Sequence, residues 1–390
     1  MLTKNIKFKN FLKKFKNQKV KKDFKLFIKE SFLEKNHLLS SLTEKYNYTY
    51  TKKKILPFKK FSSFRIIGIG GSILGTRAIY QFLKHKIKKN FFFIDNLQIE
   101  KFFIKEKNIA NIIISKSGNT LETIANSNIL INKKNKNIFI TENKDSYLRD
   151  LANKLKAEII EHKNFIGGRY SVLSEVGMLP AELMGLNEKN FKQLNYLIKD
   201  KKFVNSLIRN VENTIYFLNR DKFTSVILNY DEKSCSLFKW YQQLIAESLG
   251  KKSKGILPIV SSMPKDNHSL MQFYLDGPQK SFFTFFYVFN KNSNKIKNKS
   301  ILKNQKYLKN KTMSEILYAQ KLATENVFFK KNIPFRSFEI YSRDEKSLGE
   351  LFCFFILETI LLGRALKVNP FDQPSVELIK KETKKILIKV

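Results

Sequence analysis

The sequence predicts an α/β protein with two domains, each a doubly wound parallel sheet between two helical layers, and helical segments at both ends. Three observations carry that expectation. Short apolar runs alternate with helical stretches, as in βαβ units whose strands are covered on both faces. The alternation occurs in two rounds, over residues 61–200 and 201–366. A chain of 390 residues with 43% apolar content can also bury two such cores.

Residues 1–60 read as helical, with 18 lysines against four acidic residues, ending near Pro57. The first domain then runs through "FRIIGIG" as strand, "LGTRAIYQFLK" as helix, and "FFFID" and "NIIIS" as strands. A helix over 120–129, strand "NIFIT", helix "YLRDLANKL" and strand "AEIIEH" complete it. The second domain offers strand "SVILNY", helix "SLFKWYQQLIAESLG", strand "ILPIV", helix "HSLMQFYL" and strand "SFFTFFYVF". Residues 290–312, rich in Asn and Lys, read as a surface insertion ahead of a helix over 346–366. Residues 367–390 read as a linker, "KVNPFDQPS", and a last helix over 376–388. In such sheets ligands sit beyond the carboxyl ends of the strands.

The net charge of +39 would ordinarily point to nucleic acid or an anionic membrane surface. The residue types argue otherwise. Only nine of the 73 basic residues are Arg, the better residue for bidentate phosphate and base contacts. The surplus Lys accompanies abundant Asn, Ile and Phe along the whole chain, a general bias that fills solvated faces. Neither nucleic acid nor membrane is expected as a partner. Cys235 and Cys353, in apolar helical contexts, read as free thiols of a reducing compartment, the cytoplasm. His37, His85, His162 and His268 are too scattered for a metal site. The N-terminus lacks the apolar core of a signal peptide. The longest apolar run, 351–363, is interrupted by Glu358 and too short to span a bilayer.

Two loops point to an anion. "SKSGNTLET" follows the strand "NIIIS", and Asn119 with Glu122 three positions on reads as a helix start. Free N–H groups and the positive end of the helix dipole would then face the loop. Ser115, Ser117 and Thr120 add hydroxyl donors, Lys116 adds charge, and Gly118 permits a tight backbone. "GIGGSILG" also follows a strand and opens a helix, placing Ser72 and bare backbone beside a ligand. With Asp95 it suggests a dinucleotide site, but the third glycine of that fingerprint falls at Ile73. Two adjacent loops of small donors suit a phosphorylated small molecule better.

Other patches carry reactive groups. Arg169 follows two glycines in "GGRYSVLSEVG" and can stabilise negative charge developing on a substrate oxygen. Gln243 and Glu247, four apart in "QQLIAESLGK", project from one helix face, and partial burial would suit Glu247 as a general base. His268, beside Asp266 and Asn267 at a helix start, occupies a polar loop position fit for a proton carrier or a solvated histidine. Gln373 precedes Pro374, which suits a first helical turn, and Lys380 comes two turns later.

In combination these segments, from "GIGGS" to "FDQPSVELIK", resemble the glucose-6-phosphate isomerase family over about residues 60–380. "GGRYS" and "FDQ…VELIK" are specific to it, whereas the "SKSGNTLET" loop is shared by the wider group of sugar isomerase (SIS) domains. The resemblance implies two SIS-type domains, a homodimer, and interconversion of glucose 6-phosphate and fructose 6-phosphate without metal or organic cofactor. It assigns Ser115, Lys116, Ser117 and Thr120 to the substrate phosphate, with Ser72 near the sugar. Glu247 becomes the base moving a proton between C2 and C1 through a cis-enediol, and Arg169 the support of the enediolate. His268, supplied by the partner subunit, and Lys380 would open the ring, while Gln243 and Gln373 bind substrate. The chain is short for the family, residues 1–60 carry no family motif, and "SKSG" departs from the commoner loop. Three rivals stand beside this reading: a dual phosphoglucose/phosphomannose isomerase, a non-enzymatic sugar-phosphate sensor, and the nicotinamide enzyme already weakened at Ile73.

Overall fold

The computed structural model describes residues 2–11, 15, 18–33, 37–100, 108–297 and 303–389. The chain begins with β1 (Ile6–Lys9), α1 (Gln18–Leu33) and the one-turn α2 (Lys52–Ile55). The first sheet and its helices follow as β2 (Ser63–Ile67), α3 (Leu74–Phe82), β3 (Asn90–Ile94), β4 (Ile109–Ile114), α4 (Leu121–Leu130), β5 (Lys136–Thr141), α5 (Tyr147–Lys154) and β6 (Glu158–Glu161). Helix α6 (Glu175–Leu183), the one-turn α7 (Leu194–Leu197) and α8 (Lys201–Leu218) lead into the second round. That round comprises β7 (Thr224–Asn229), α9 (Cys235–Leu249), β8 (Leu257–Ser262), α10 (Met271–Asp276), β9 (Ser281–Val288), α11 (Met313–Lys330), β10 (Phe335–Ile340) and α12 (Glu345–Leu366), with α13 (Pro374–Lys389) at the end.

Both sheets are covered on both faces, as the continuously apolar strands require. The first has strand order β3-β2-β4-β5-β6, all parallel. Phe64, Ile66, Ile112 and Ile114 join one large core with α3 and α6, while Ile67, Ile113 and Phe139 turn to the opposite face, against α4 and α5. The second has order β1-β10-β9-β7-β8. Its Ile227, Phe286 and Phe338 pack on α9 and α12, and Val226, Phe283 and Phe285 on α10 and α11. In each sheet the strand order reverses at the first of its parallel strands: β2 lies between β3 and β4, and β7 between β8 and β9.

Three elements differ from what the sequence predicts. Residues 6–9, expected within a helical segment, form a strand antiparallel to β10 at the edge of the second sheet. Ile6 and Phe8 alternate with Lys7 and Lys9, the period of a strand with one covered face, and Phe8 packs its ring 4.5 Å from Phe338. The reading also passed over β10 and α11. The charges in "FRSFEI" disguise a fully buried strand, because each buried charge is paired: Glu339 accepts from Lys321 at 2.6 Å and Lys7 at 2.9 Å. Helix α11 opens on a capping box in which Thr312 and Glu315 bond reciprocally. Among the described residues no helix is long and apolar enough to cross a membrane.

The other charge of β10, Arg336, enters a polar cluster inside the second domain. It donates to Thr284 at 2.9 Å, Asn210 at 2.7 Å, Tyr241 at 3.1 Å and, more closely, to Glu358. Asn210 and Tyr241 also bond Glu358, at 2.6 and 3.2 Å, so one carboxylate ties α8, α9 and β10 to α12. Removing one partner of a buried pair strands the other charge. Glu358→Ala is expected to cost about 3–5 kcal/mol in chemical denaturation. The apolar double change Arg336→Met with Glu358→Leu should cost far less. His162, just past β6, is also buried, and burial pulls its pKa down to about 4. The unfolded chain takes up that proton below about 6.5, whereas the native chain refuses it until about 4, so stability falls as pH drops through this window. Denaturation midpoints compared at pH 7 and pH 4.5 are expected to fall less in His162→Gln than in the parent.

Candidate active site

The loops after β2 and β4 meet where the first sheet reverses, the position at which such sheets hold ligands. After β2, Gly70 takes φ +56°, which glycine adopts without strain. Gly71 is required for a different reason. A Cβ built there would stand 2.2 Å from the Gly168 carbonyl carbon, so this loop and the one bearing Arg169 touch backbone to backbone. After β4, Gly118 takes φ +69°, and a Cβ on it would meet the Ser146 hydroxyl at 2.1 Å.

The second loop is built somewhat differently from the expectation. Helix α4 starts at Leu121 with Thr120 as its N-cap, and no side chain caps it. Asn119 instead accepts from the Tyr147 N–H at 3.0 Å, which joins this loop to the start of α5. The first N–H groups of α4 are thus left to face the loop. Ser115 is buried, and its hydroxyl lies 2.8 Å from that of Thr120. Lys116, Ser117 and Thr120 line the cleft, and Ser115 lies just behind them. Lys116 donates to the Asn164 carbonyl at 2.7 Å and lies 3.6 Å from Glu142. Burial pulls its pKa below the usual lysine range, with Glu142 opposing the shift.

A 3₁₀ turn over Gly168–Leu173 presents Arg169, whose side chain is 3% exposed. All five of its N–H donors are engaged. Nε donates to Ser248 at 2.8 Å, Nη1 to Glu247 at 2.8 Å and to Gln373 at 2.9 Å, and Nη2 to the carbonyls of Pro370 at 2.7 Å and Asp372 at 3.0 Å. Glu247, 24% exposed at its side chain, receives a second bond from Gln243 at 2.8 Å along α9. Gln243 keeps its own Oε1 buried without a partner among the described residues.

A cleft of about 390 Å³ joins these parts, lined by Ser72, Lys116, Ser117, Thr120, Arg169, Gln243, Glu247, Gln373 and Lys380. Residues from both domains and the C-terminal segment therefore converge. Lys380 donates to Glu377 at 2.6 Å from the exposed helix α13. His268 is not brought to the cleft. It ends a 3₁₀ turn after β8 and is exposed, while its neighbour Asp266 braces that turn by accepting from Ser261 and Ser262 at 2.7 Å. Asp95, weighed as a ribose ligand, is paired with Arg77 at 2.5 Å. The cleft also contains Glu142, Lys144 and Glu377, which the sequence reading did not name. Glu142 and Lys144 follow strand "NIFIT" directly, and that position beyond a strand's carboxyl end was the available signal. Among the described residues, no three His, Cys, Asp or Glu side chains gather as a metal site would need.

Comparison with known proteins agrees with this architecture. The family model described as phosphoglucose isomerase matches residues 28–260. A probable glucose-6-phosphate isomerase of Methanococcus maripaludis is 33% identical, with 83% of this chain and 78% of that protein covered. A glucose-6-phosphate isomerase of Mycoplasmopsis pulmonis is 34% identical, covering 83% of this chain and 82% of its own. Among solved structures, a hypothetical protein of Thermus thermophilus superposes with TM-score 0.84 at 23% identity, over 95% of both chains. The glucose-6-phosphate isomerase of Chlamydia trachomatis superposes with TM-score 0.75 at 18% identity, over 95% of this chain and 84% of that one. The fold is thus shared with both, and on the strength of the family match and the sequence relatives, this chain belongs to the phosphoglucose isomerase family.

Proposed function

We propose that this chain interconverts D-glucose 6-phosphate and D-fructose 6-phosphate, with the site residues in the following roles. The substrate phosphate rests on the loop Ser115–Thr120 and the N-terminus of α4, far enough from the reacting carbons to align them with binding energy. His268 and Lys380 open the ring, moving the proton of the anomeric hydroxyl to the ring oxygen. Glu247 then lifts the proton from C2 of the open aldose, and the electron pair of that C–H bond becomes the enediolate double bond as the carbonyl oxygen takes negative charge. Arg169 steadies that charge. Returning the proton to C1, with a hydroxyl proton exchanged between O1 and O2, yields the ketose. The unpartnered Oε1 of Gln243 offers an acceptor to a sugar hydroxyl.

The observation that carries this reading is the Arg169–Glu247 pair, 2.8 Å apart in the cleft that also holds the phosphate loop. A carboxylate and a guanidinium held together above an anion grip are what a proton transfer through an enediolate needs. A sensor would bind the same phosphate without requiring Glu247. A second copy of this chain completes the site by supplying His268. Two features support the dimer: His268 lies exposed outside the cleft, and α13 leaves Val376, Ile379 and Leu387 open to solvent. Free thiols at Cys235 and Cys353 and phosphorylated substrates suit the cytoplasm.

Incubation with fructose 6-phosphate in deuterated water is expected to yield glucose 6-phosphate carrying deuterium at C2. Glu247→Gln should lower kcat at least about a hundredfold while fructose 6-phosphate still binds; near-normal turnover would refute the base assignment. The shared site has its own test. Glu247→Gln and His268→Ala chains, each nearly inactive alone, should recover about a quarter of parent activity when refolded together, because half the dimers are mixed and each has one intact site. No recovery would place both residues of one site on one chain.

A further inference from the structure

We infer that Lys144 is a second phosphate-binding cation, held with Lys116 on the carboxylate of Glu142, which the substrate phosphate replaces as their acceptor. The inference rests on the sugar-phosphate reading of the cleft and adds two residues to it. Lys144 lies on the loop between β5 and α5, and that loop is fastened to the phosphate loop along its length. The Glu142 N–H donates to the Lys116 carbonyl at 3.1 Å, the Leu148 N–H to the Gly118 carbonyl at 3.1 Å, and the Tyr147 N–H to Asn119 at 3.0 Å. Gly118 sits directly against Ser146, with no room for a Cβ. Whatever position the phosphate loop takes, the loop carrying Lys144 therefore takes with it.

The side chains on this joint wall form one charge cluster. Glu142, only 10% exposed at its side chain, lies 3.6 Å from the Lys116 ammonium and 2.5 Å from that of Lys144. All three line the cleft with Ser117 and Thr120. The second lysine shifts the charge balance at this wall. A hexose phosphate carries close to two negative charges at neutral pH. Lys116 and Glu142 together are neutral, so without Lys144 that dianion would meet only hydroxyls and the α4 N-terminus beside a carboxylate, with no net side-chain charge. Lys144 restores one net positive charge, and its 55% exposed side chain has the freedom to turn from Glu142 to a phosphate oxygen. Glu142, meanwhile, keeps both ammonium groups at the mouth of the loop and competes with phosphate for them.

Steady-state kinetics of the full-length protein with fructose 6-phosphate, with inorganic phosphate as competitive inhibitor, tests this. Lys144→Met is expected to raise KM and the phosphate Ki together by about tenfold with kcat within about twofold, and Lys144→Arg to restore both. The salt dependence of KM should become shallower in Lys144→Met. Glu142→Gln should lower the phosphate Ki. Unchanged KM and Ki in Lys144→Met, or a loss confined to kcat and thermal stability, would overturn the inference. If the parent exchanged no deuterium into sugar, the isomerase reading would fail on its own; calorimetric titration of inorganic phosphate into parent and Lys144→Met would still decide whether Lys144 binds phosphate.

Discussion

The structure turns on the guanidinium of Arg169. It comes from the first domain, is nearly sealed from water, and gives its donors to Glu247 and Ser248 on α9 and to three residues of the segment ahead of α13. A planar fork with five donors can satisfy five acceptors from two other parts of the chain at once, which an ammonium cannot. Tyr170 reinforces the junction, its hydroxyl meeting Ser248 at 2.9 Å and the Pro370 carbonyl at 3.0 Å. Trp240, on the inner face of α9, donates to the Arg169 carbonyl at 3.1 Å. The group that steadies the enediolate in the proposed reaction is thus also the group that holds the two domains and the C-terminal segment in register.

That junction depends on the absence of one side chain. Gly71 lets its loop approach the backbone of Gly168 and Arg169 to a distance no Cβ would tolerate, and this approach brings Arg169 beside the loops after β2 and β4. The result is a cleft whose two ends differ in stiffness. At the proposed sugar end, Glu247 and Arg169 are braced by packed helices and by each other. At the proposed phosphate end, Lys144 is an exposed stem on Glu142, and Lys116, also beside Glu142, is held by the Asn164 carbonyl. In the proposed reaction, rigid placement suits the end where a proton moves between adjacent carbons, and an adaptable ammonium at Lys144 suits the end where a charged tail enters and leaves.

How much of this could be read in the sequence depends on range. Strands β2 to β6 and the loops after β2 and β4 were legible because apolar runs and turn residues are local signals. The partners of Arg169 were not, since Glu247 and Gln373 lie 78 and 204 residues away and no periodicity joins them. Helix α11 had a legible start in Thr312 and Glu315, hidden by the Asn- and Lys-rich stretch before it. Strand β10 was hidden more deeply: Arg336 and Glu339 look solvated until Glu358 and Lys321 are known to face them. Asn119 and Glu122 illustrate the opposite error, a real capping pattern whose Asn is claimed by a backbone N–H from another helix.

The same distinction between local and distant partners explains the composition. Lysine covers the solvated surface of this chain, where a hydrated point charge on a flexible stem is sufficient. Four of the nine arginines occupy buried or half-buried positions that bind several acceptors in fixed directions. Arg336 joins four elements inside the second domain, Arg169 joins the domains, and Arg343 grips Asp231 through both terminal nitrogens. Arg65, buried among strands, donates to the Leu130 carbonyl at 2.6 Å and reaches Asn111. At these four positions planar geometry serves where a single ammonium could not reach every acceptor. Most of the positive charge lies on the surface, with buried exceptions such as Lys321 against Glu339.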